Sequence, residues 1–84
     1  MNEFLNMVRV YLTQELPPPY NNLLSIVDER IRVTLPENLK FNEAYALLQP
    51  LIEASVQRIR NREIDLPFTI WTPSQSRDFK VYIK

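Results

Sequence analysis

The stretch from Asn42 to Asn61 most constrains the fold, because its apolar residues recur with the period of an α-helix. Intervals of three and four residues place these side chains on one helix face, which implies that this face is buried. The apolar positions are Phe41, Ala44, Tyr45, Leu48, Leu51, Ile52, Val56 and Ile59. Asn42 is expected to cap the N-terminus, where the helix dipole also favours the negative charge of Glu43. The sequence therefore predicts a long helix around which the other elements pack.

Pro50 interrupts the backbone hydrogen bonding of this predicted helix. A proline in a helix interior removes a donor and crowds the carbonyl group four residues earlier, here that of Ala46, which destabilises the helix by about 3 kcal/mol. Pro50 lies opposite the apolar face, so a kink there lets one continuous helix curve around a core with its convex side in water. The alternative is a pair of shorter helices separated near Gln49. We favour the single bent helix.

The chain contains no cysteine, no histidine and no glycine. Their absence excludes disulfides, thiolate nucleophiles, cysteine-rich zinc sites and the Ser-His-Asp triad, and it removes the commonest ligand of transition metals. Glycine-rich phosphate-binding loops are also excluded, because they need a close backbone approach that only glycine permits. We therefore expect no cofactor and no metal, and we expect turns built from Pro, Asn, Asp and Ser.

The length and composition predict one folded domain. The chain has 84 residues, of which 45% are hydrophobic and 24% are charged, values typical of a globular protein with a small core. We expect residues 1–84 to form a single domain. No apolar run approaches the roughly 18 residues that span a bilayer, and the N-terminal residues lack the pattern of a signal peptide. A cytoplasmic protein without membrane contact is therefore predicted.

The charges divide unevenly along the chain although the formal net charge is zero. Residues 1–54 carry four basic and seven acidic side chains, which gives −3, and residues 55–84 carry six basic and three acidic side chains, which gives +3. Three of these cations lie at the C-terminal end of the long predicted helix: Arg58 and Arg62 are expected to share a face, whereas Arg60 points elsewhere. A continuous row of phosphate-binding cations is therefore not predicted.

The residues before the long helix predict another amphipathic helix, the first in the chain, and then a short helical segment and a strand. The first helix is expected from about Glu3 to Leu16, capped by Asn2. Its inner face comprises Phe4, Leu5, Val8, Tyr11 and Leu12. The apolar spacing over residues 22–29 fits a short helical segment, whereas residues 30–35 alternate between apolar and polar side chains like a half-buried strand.

Three consecutive prolines, Pro17 to Pro19, end the first predicted helix and favour a stiff polyproline stretch. Together with Tyr20 they match the PPxY pattern that WW domains bind through aromatic-lined grooves. The alternative is a helix terminator in which Tyr20 packs against the core. We favour the terminator, because nothing else in the sequence points to a WW-containing partner.

Two β-forming runs follow the long helix. Residues 66–72 and 79–83 are rich in aromatic and β-branched side chains and alternate in polarity. Residues 73–78 are polar and begin with a proline, so we predict a loop that joins the two runs into a β-hairpin. Pro67 is compatible with this assignment only at the start of a strand or at a sheet edge.

These elements predict a small α+β domain in the order helix, short helix, strand, long helix, strand, strand. Two or three helices are expected to pack on one face of a small antiparallel sheet that ends in a C-terminal β-hairpin. The alternation also predicts which strand residues face the helices. The inward residues are Ile31, Val33, Leu35, Phe68, Ile70, Phe79, Val81 and Ile83.

The opposite face of the predicted sheet carries the candidate binding residues. It comprises Arg30, Arg32, Thr34, Thr69, Trp71, Lys80, Tyr82 and Lys84. Aromatic rings among cations on an exposed sheet are typical of proteins that bind single-stranded nucleic acid, and Trp, Tyr and Arg also dominate protein-interaction sites. A purely structural account is a cross-strand aromatic pair flanked by solvated lysines.

We predict a non-catalytic module, such as an adaptor, inhibitor or assembly subunit, that binds a protein partner or a second copy of itself in a homo-oligomer. The candidate partner-binding residues are Trp71, Tyr82, Arg30, Arg32, Lys80 and Lys84. Another route is the addition of a strand to the C-terminal edge of the sheet.

The alternative function is association with single-stranded nucleic acid through the same face. Glu63 and Asp65 are the closest carboxylates for acid–base chemistry. We favour a surface role for them, so no enzyme activity is expected.

Overall fold

Over residues 2–59 and 63–83, the part of the chain that the computed structural model describes, the protein has an α+β fold in which two α-helices cover one face of a four-stranded mixed sheet. The elements in chain order are helix α1 (Asn2–Glu15), a 3-10 turn (Tyr20–Asn22), strands β1 (Leu24–Val27) and β2 (Arg30–Thr34), helix α2 (Phe41–Val56), and strands β3 (Ile64–Trp71) and β4 (Ser76–Ile83). The order of strands across the sheet is the same as their order along the chain.

The central pair of strands is parallel, so the predicted antiparallel sheet is wrong at this position. β1 pairs antiparallel with β2, and β3 pairs antiparallel with β4, but β2 and β3 run in the same direction with Ile31 opposite Phe68 and Val33 opposite Ile70. The reason is the connection between them. Helix α2 carries the chain back to the end of the sheet where β2 began, and adjacent strands joined by such a crossover are parallel.

The predicted helical segment over residues 22–29 is also wrong, because residues 24–27 form strand β1 and the next two residues form a turn. Asp28 and Glu29 form the two-residue turn to β2, and both have positive φ angles, 53° and 59°. Two central residues with positive φ define a type I′ turn, whose twist matches that of the strands it joins. Leu24 and Val27, two of the apolar residues that favoured a helix, lie in β1, so the described chain contains two α-helices.

The inner face of α1 is confirmed. Leu5, Val8 and Leu12 are fully buried, and Phe4 and Tyr11 pack against the core. The helix begins at Asn2, one residue before the predicted start. The predicted capping by the Asn2 side chain lies outside the described part of the structure.

Helix α2 is continuous through Pro50, as predicted, but its ends differ from the prediction. It starts at Phe41 with Lys40 in the N-cap position and no side-chain cap, so Asn42 is not the cap, and it ends at Val56 rather than Asn61. Arg60 to Arg62 lie outside the described residues. Pro50 is exposed, so the hydrogen bond that it removes falls on the side of the helix that water can reach. Neither described α-helix has the length and apolar character needed to cross a membrane.

The core lies between the helices and the inner face of the sheet. The predicted inward residues are all buried except Phe79, which is partly buried. Phe79 stacks on Phe68 with ring centroids 5.3 Å apart and meets Tyr45 of α2 edge to face at 5.7 Å. The Tyr11 hydroxyl donates to the Ser55 carbonyl at 3.0 Å and ties α1 to α2.

The C-terminal β-hairpin is confirmed, with longer strands and a shorter loop than predicted. The loop is closed by Thr72, whose N–H donates to the Gln75 carbonyl at 2.8 Å and whose hydroxyl exchanges hydrogen bonds with the Gln75 backbone. Pro67 lies inside β3, which is not an edge strand. It is tolerated because Pro67 needs no donor toward β4, where it lies opposite Lys80 in a non-bonded pair, and because the pairing of β3 with β2 begins only at the next residue, Phe68.

Replacing Pro50 tests the exposed position of the proline in α2. We expect Pro50→Ala to raise the free energy of unfolding by up to about 3 kcal/mol, because alanine restores the missing helical hydrogen bond. Urea denaturation measures the change. Glu53→Ala, another exposed position on α2, is the control and should shift stability by less than about 0.5 kcal/mol. A loss of stability in Pro50→Ala would contradict a regular helix at this position.

Candidate binding face of the sheet

The side of the sheet opposite the helices carries the candidate site, and we call its residues on β2, β3 and β4 the outer sheet face. The strand register places Arg32 beside Thr69, Thr34 beside Trp71, and Lys80 beside Pro67. The outer sheet face comprises Arg30, Arg32, Thr34, Asp65, Pro67, Thr69, Trp71, Ser76, Asp78, Lys80 and Tyr82. The predicted outward residues therefore share one side, except Lys84, which lies outside the described residues.

Arg30 belongs to a polar network that spans three strands. Its Nε donates to the Thr69 hydroxyl at 2.9 Å, and an Nη2 hydrogen bond of 2.8 Å reaches the Phe68 carbonyl. The Thr69 hydroxyl in turn donates to Asp78 Oδ1 at 2.7 Å, and that oxygen lies 3.8 Å from Arg30 Nε. Thr69 is only 8% exposed. The charge of Arg30 is therefore compensated within the protein, and the residue fixes β2 to β3 and β4.

Arg32 is arranged differently, because its guanidinium group stacks on an aromatic ring. The guanidinium carbon lies 3.7 Å from the ring centroid of Trp71, within the range of a cation–π interaction. Arg32 Nε is buried and has no hydrogen-bond acceptor among residues 2–59 and 63–83, and no ion pair of Arg32 is present in those ranges. The two Nη groups of Arg32 also form no hydrogen bond with a described residue, so they are the donors left unused beside the Trp71 ring.

The predicted aromatic pair is split between the two ends of the sheet. Trp71 lies opposite Ser76, and Tyr82 lies opposite Asp65. These pairs are six positions apart along β3, which corresponds to roughly 20 Å at about 3.3 Å per residue. Trp71, which is half-buried, and Tyr82 consequently lie at two separate sites and cannot form a cross-strand pair. Tyr82 is 46% exposed.

The outer sheet face is not uniformly basic. Its described cations are Arg30, Arg32 and Lys80, and its carboxylates are Asp65 and Asp78, so three positive and two negative charges leave +1. The turn residues Asp28 and Glu29 add negative charge at one rim. Sequence reasoning missed the two carboxylates, and Asp78 was assigned to a loop. The alternation from Asp78 to Ile83, in which Phe79, Val81 and Ile83 are apolar, is the signal that could have placed Asp78 on a strand.

A cavity of about 220 Å³ opens beside the Arg32–Trp71 stack. Its lining residues are Val27, Asp28, Arg30, Arg32, Thr69, Trp71 and Asp78. It has two guanidinium groups, two carboxylates and one indole ring, a composition suited to polar contacts with a protruding side chain. Within the described ranges, no group of three or more acidic side chains is placed to hold a metal ion.

The segment from Pro17 to Tyr20 forms a turn, so the predicted stiff polyproline stretch is wrong. The Tyr20 N–H donates to the Pro17 carbonyl at 3.0 Å, and the Asn22 N–H donates to the Pro19 carbonyl at 3.2 Å. A polyproline II helix has no internal hydrogen bonds. Tyr20 is half-buried and packs against the core, which is the arrangement of the terminator alternative.

The other charged candidates that the structure describes are Arg58, Glu63 and Asp65. Arg58 forms a 2.7 Å ion pair with Glu15 and links the end of α2 to the end of α1. Asp65 is exposed opposite Tyr82, and Glu63 precedes β3 and is also exposed. Arg60 and Arg62 are outside the described residues.

Thr69→Val tests the polar network. The substitution preserves the branched shape but removes the hydroxyl that joins Arg30 to Asp78, so we expect the free energy of unfolding to fall by about 1–3 kcal/mol. Thr34→Val is the matched control, because it makes the same change on the same face, where no side-chain hydrogen bond is present among the described residues. Urea denaturation measures the free energy of unfolding of both variants. An equal loss in Thr69→Val and Thr34→Val would contradict a stabilising role for the polar network.

Tyr20→Ala tests the role of the tyrosine after the prolines. Loss of a half-buried aromatic ring should lower the free energy of unfolding by about 1–3 kcal/mol, whereas Tyr20→Phe should retain stability because the ring supplies the contact. Thermal unfolding followed by circular dichroism measures both. Unchanged stability in Tyr20→Ala would show that the ring is not part of the core.

Comparisons of the chain with protein-family models, with curated proteins and with solved structures find no match. No family assignment follows for the outer sheet face.

Proposed function

We propose that this domain is a non-catalytic protein-binding module, acting as an adaptor, inhibitor or assembly subunit. The observation that carries the proposal is the stack of Arg32 on Trp71, 3.7 Å from guanidinium carbon to ring centroid, with no acidic partner for Arg32 among the described residues. Tryptophan and arginine are the residues most enriched at the energetic centres of protein interfaces.

The contacts around the stack support this role. The network of Arg30, Thr69 and Asp78 holds the neighbouring strands, so the Arg32–Trp71 pair lies on a rigid part of the sheet. A preorganised aromatic and guanidinium surface loses little conformational freedom when a partner binds. The Nη donors of Arg32 suit a carboxylate or carbonyl group of the partner, because guanidinium groups bind such acceptors in a fixed planar geometry.

Tyr82 and Lys80 form the second part of the proposed surface. They lie on β4 near the opposite end of the outer sheet face, and Tyr82 exposes nearly half of its surface. Because this part adjoins the edge of the sheet, it also supports the second route, in which a partner adds a strand to β4. A cytoplasmic location belongs to the proposal and is compatible with the lack of cysteine.

Association with single-stranded nucleic acid is the second candidate, favoured by the presence of two aromatic residues and three cations on the outer sheet face. Two features weigh against it. Arg30 is already paired with Asp78, and one face of the Trp71 ring is covered by Arg32, whereas base stacking needs an open ring face. The protein-binding role is therefore preferred.

Affinity capture tests the proposal. Tagged protein is incubated with lysate of the source organism, with and without nuclease, and captured proteins are identified. We expect a stoichiometric protein partner that survives nuclease and is lost in both Trp71→Ala and Arg32→Ala. Val10→Ala is the matched control, because Val10 is an exposed apolar residue on α1, away from the sheet.

The variants must first give the circular dichroism spectrum of the wild type. Retention of the partner by folded Trp71→Ala would overturn the proposed face. Capture that disappears with nuclease and weakens steeply with salt would instead favour the nucleic-acid candidate.

A further inference from the structure

Strand β4 presents a long unpaired edge. The sheet order ends at β4, so no strand of the described chain pairs with its outer side. β4 has eight residues, whereas β1, at the opposite edge, has four. A long edge strand offers a row of backbone donors and acceptors to another strand.

The hydrogen-bond pattern of the hairpin determines which backbone groups face outward. Thr72 and Gln75 form a hydrogen-bonded pair, and such pairs alternate with non-bonded pairs in an antiparallel ladder. The pairs Ile70–Arg77 and Phe68–Phe79 are then bonded, while Thr69–Asp78 and Pro67–Lys80 are not.

Two observations agree with this assignment. Pro67 has no N–H and lies in a non-bonded pair. The Tyr82 carbonyl faces away from β3, because it accepts a 2.8 Å hydrogen bond from Gln57 of the segment after α2. The backbone groups of Ser76, Asp78, Lys80 and Tyr82 therefore point toward the open edge.

This geometry restricts how two copies of β4 can pair about a two-fold axis. The outward N–H and C=O groups belong to the even-numbered residues 76, 78, 80 and 82. They can bond across the axis only if even-numbered residues of one copy lie opposite even-numbered residues of the other. Two registers align seven residues of the strand: one centres the axis on Phe79 and sets Asp78 opposite Lys80 of the second copy, and the other centres it on Lys80 and sets the two copies of Lys80 opposite each other. Like charges directly opposite are destabilising, whereas opposite charges stabilise the pair.

The side chains also favour the register centred on Phe79. The Asp78 side chain is 66% exposed, and only its Oδ1 is used by Thr69 and Arg30. Lys80 forms no ion pair with any described residue. The two-fold axis would set Asp78 against Lys80 twice and bring the two partly buried Phe79 rings together on the inner face.

We propose that two copies of this protein pair through β4, antiparallel and centred on Phe79, to form one continuous eight-stranded sheet. The two outer sheet faces then lie on the same side, because opposed residues of an antiparallel pair point the same way. This inference rests on the edge-strand form of the proposed function and names its partner, a second copy of the chain. The bond from Gln57 to Tyr82 leaves the carbonyl a second lone pair for the neighbouring strand.

Cysteine cross-linking tests the register, because the natural chain has no cysteine. Phe79→Cys places two thiols at a non-bonded antiparallel pair, whose Cα separation of about 4.5 Å allows a disulfide. Lys80→Cys is the matched control, because in the proposed register its two Cα atoms are more than about 7 Å apart, too far for a disulfide. Mild oxidation should give covalent dimer for Phe79→Cys and not for Lys80→Cys; the reverse result would overturn the register.

Lys80→Pro tests the pairing itself. The Lys80 N–H points away from β3, so proline removes an intermolecular donor without removing a bond of the hairpin. Sedimentation velocity should find a concentration-dependent dimer for the wild type, and we expect Lys80→Pro to raise its dissociation constant at least about tenfold. Lys80→Glu retains the N–H but sets Glu against Asp78 of the second copy, so it should also weaken the dimer. It replaces Lys80→Pro in the test if the proline variant does not fold.

A wild-type protein that stays monomeric, or a folded Lys80→Pro that dimerises as the wild type does, would overturn the β4 pairing. The outcome is independent of the capture experiment with Trp71→Ala. A protein partner that depends on Trp71 but binds monomeric Lys80→Pro would leave the proposed function intact and reject only the dimer.

Discussion

The parallel pairing of β2 and β3 is the constraint on which the rest of the structure depends. Helix α2 enforces it, since the helix must return the chain across the sheet before β3 can begin. The same pairing sets Arg32 beside Thr69 and Thr34 beside Trp71, so the crossover that builds the core also assembles the polar face on the other side. The helix is held in place by the aromatic contact between Tyr45 and Phe79.

Parallel strands are usually packed against other elements on both faces. Here the helices cover the inner face, and the outer sheet face is covered by side chains of the strands themselves. Arg30 reaches across β3 to the carbonyls of Phe68 and Phe79, and Arg32 lies over Trp71. The two arginines thus shield the central pair from water in different ways. Arg30 is paired with Asp78, whereas Arg32, two residues away, has no acidic partner among the described residues.

The sequence was sufficient for features governed by local periodicity. The buried faces of both helices and the two faces of β2, β3 and β4 follow from spacing alone. Strand direction and register were not predictable in this way, because they depend on how the crossover and the loop from Thr72 to Gln75 are closed. This is why the distance between Trp71 and Tyr82, the network at Asp78 and the short strand β1 appeared only in the structure. β1 is four residues long, and its apolar spacing fits a helix as well as a strand.

The turn formed by Asp28 and Glu29 is built without glycine, and the lack of glycine in the whole sequence affects the unfolded state. Left-handed backbone angles normally call for glycine, yet this chain has none and seven prolines. Glycine has the most conformers to lose on folding, and proline has few. The denatured chain therefore samples a narrower range of backbone conformations than a typical chain of its length, and folding gives up less entropy. Restricting the unfolded ensemble in this way helps a protein with a small core to remain folded.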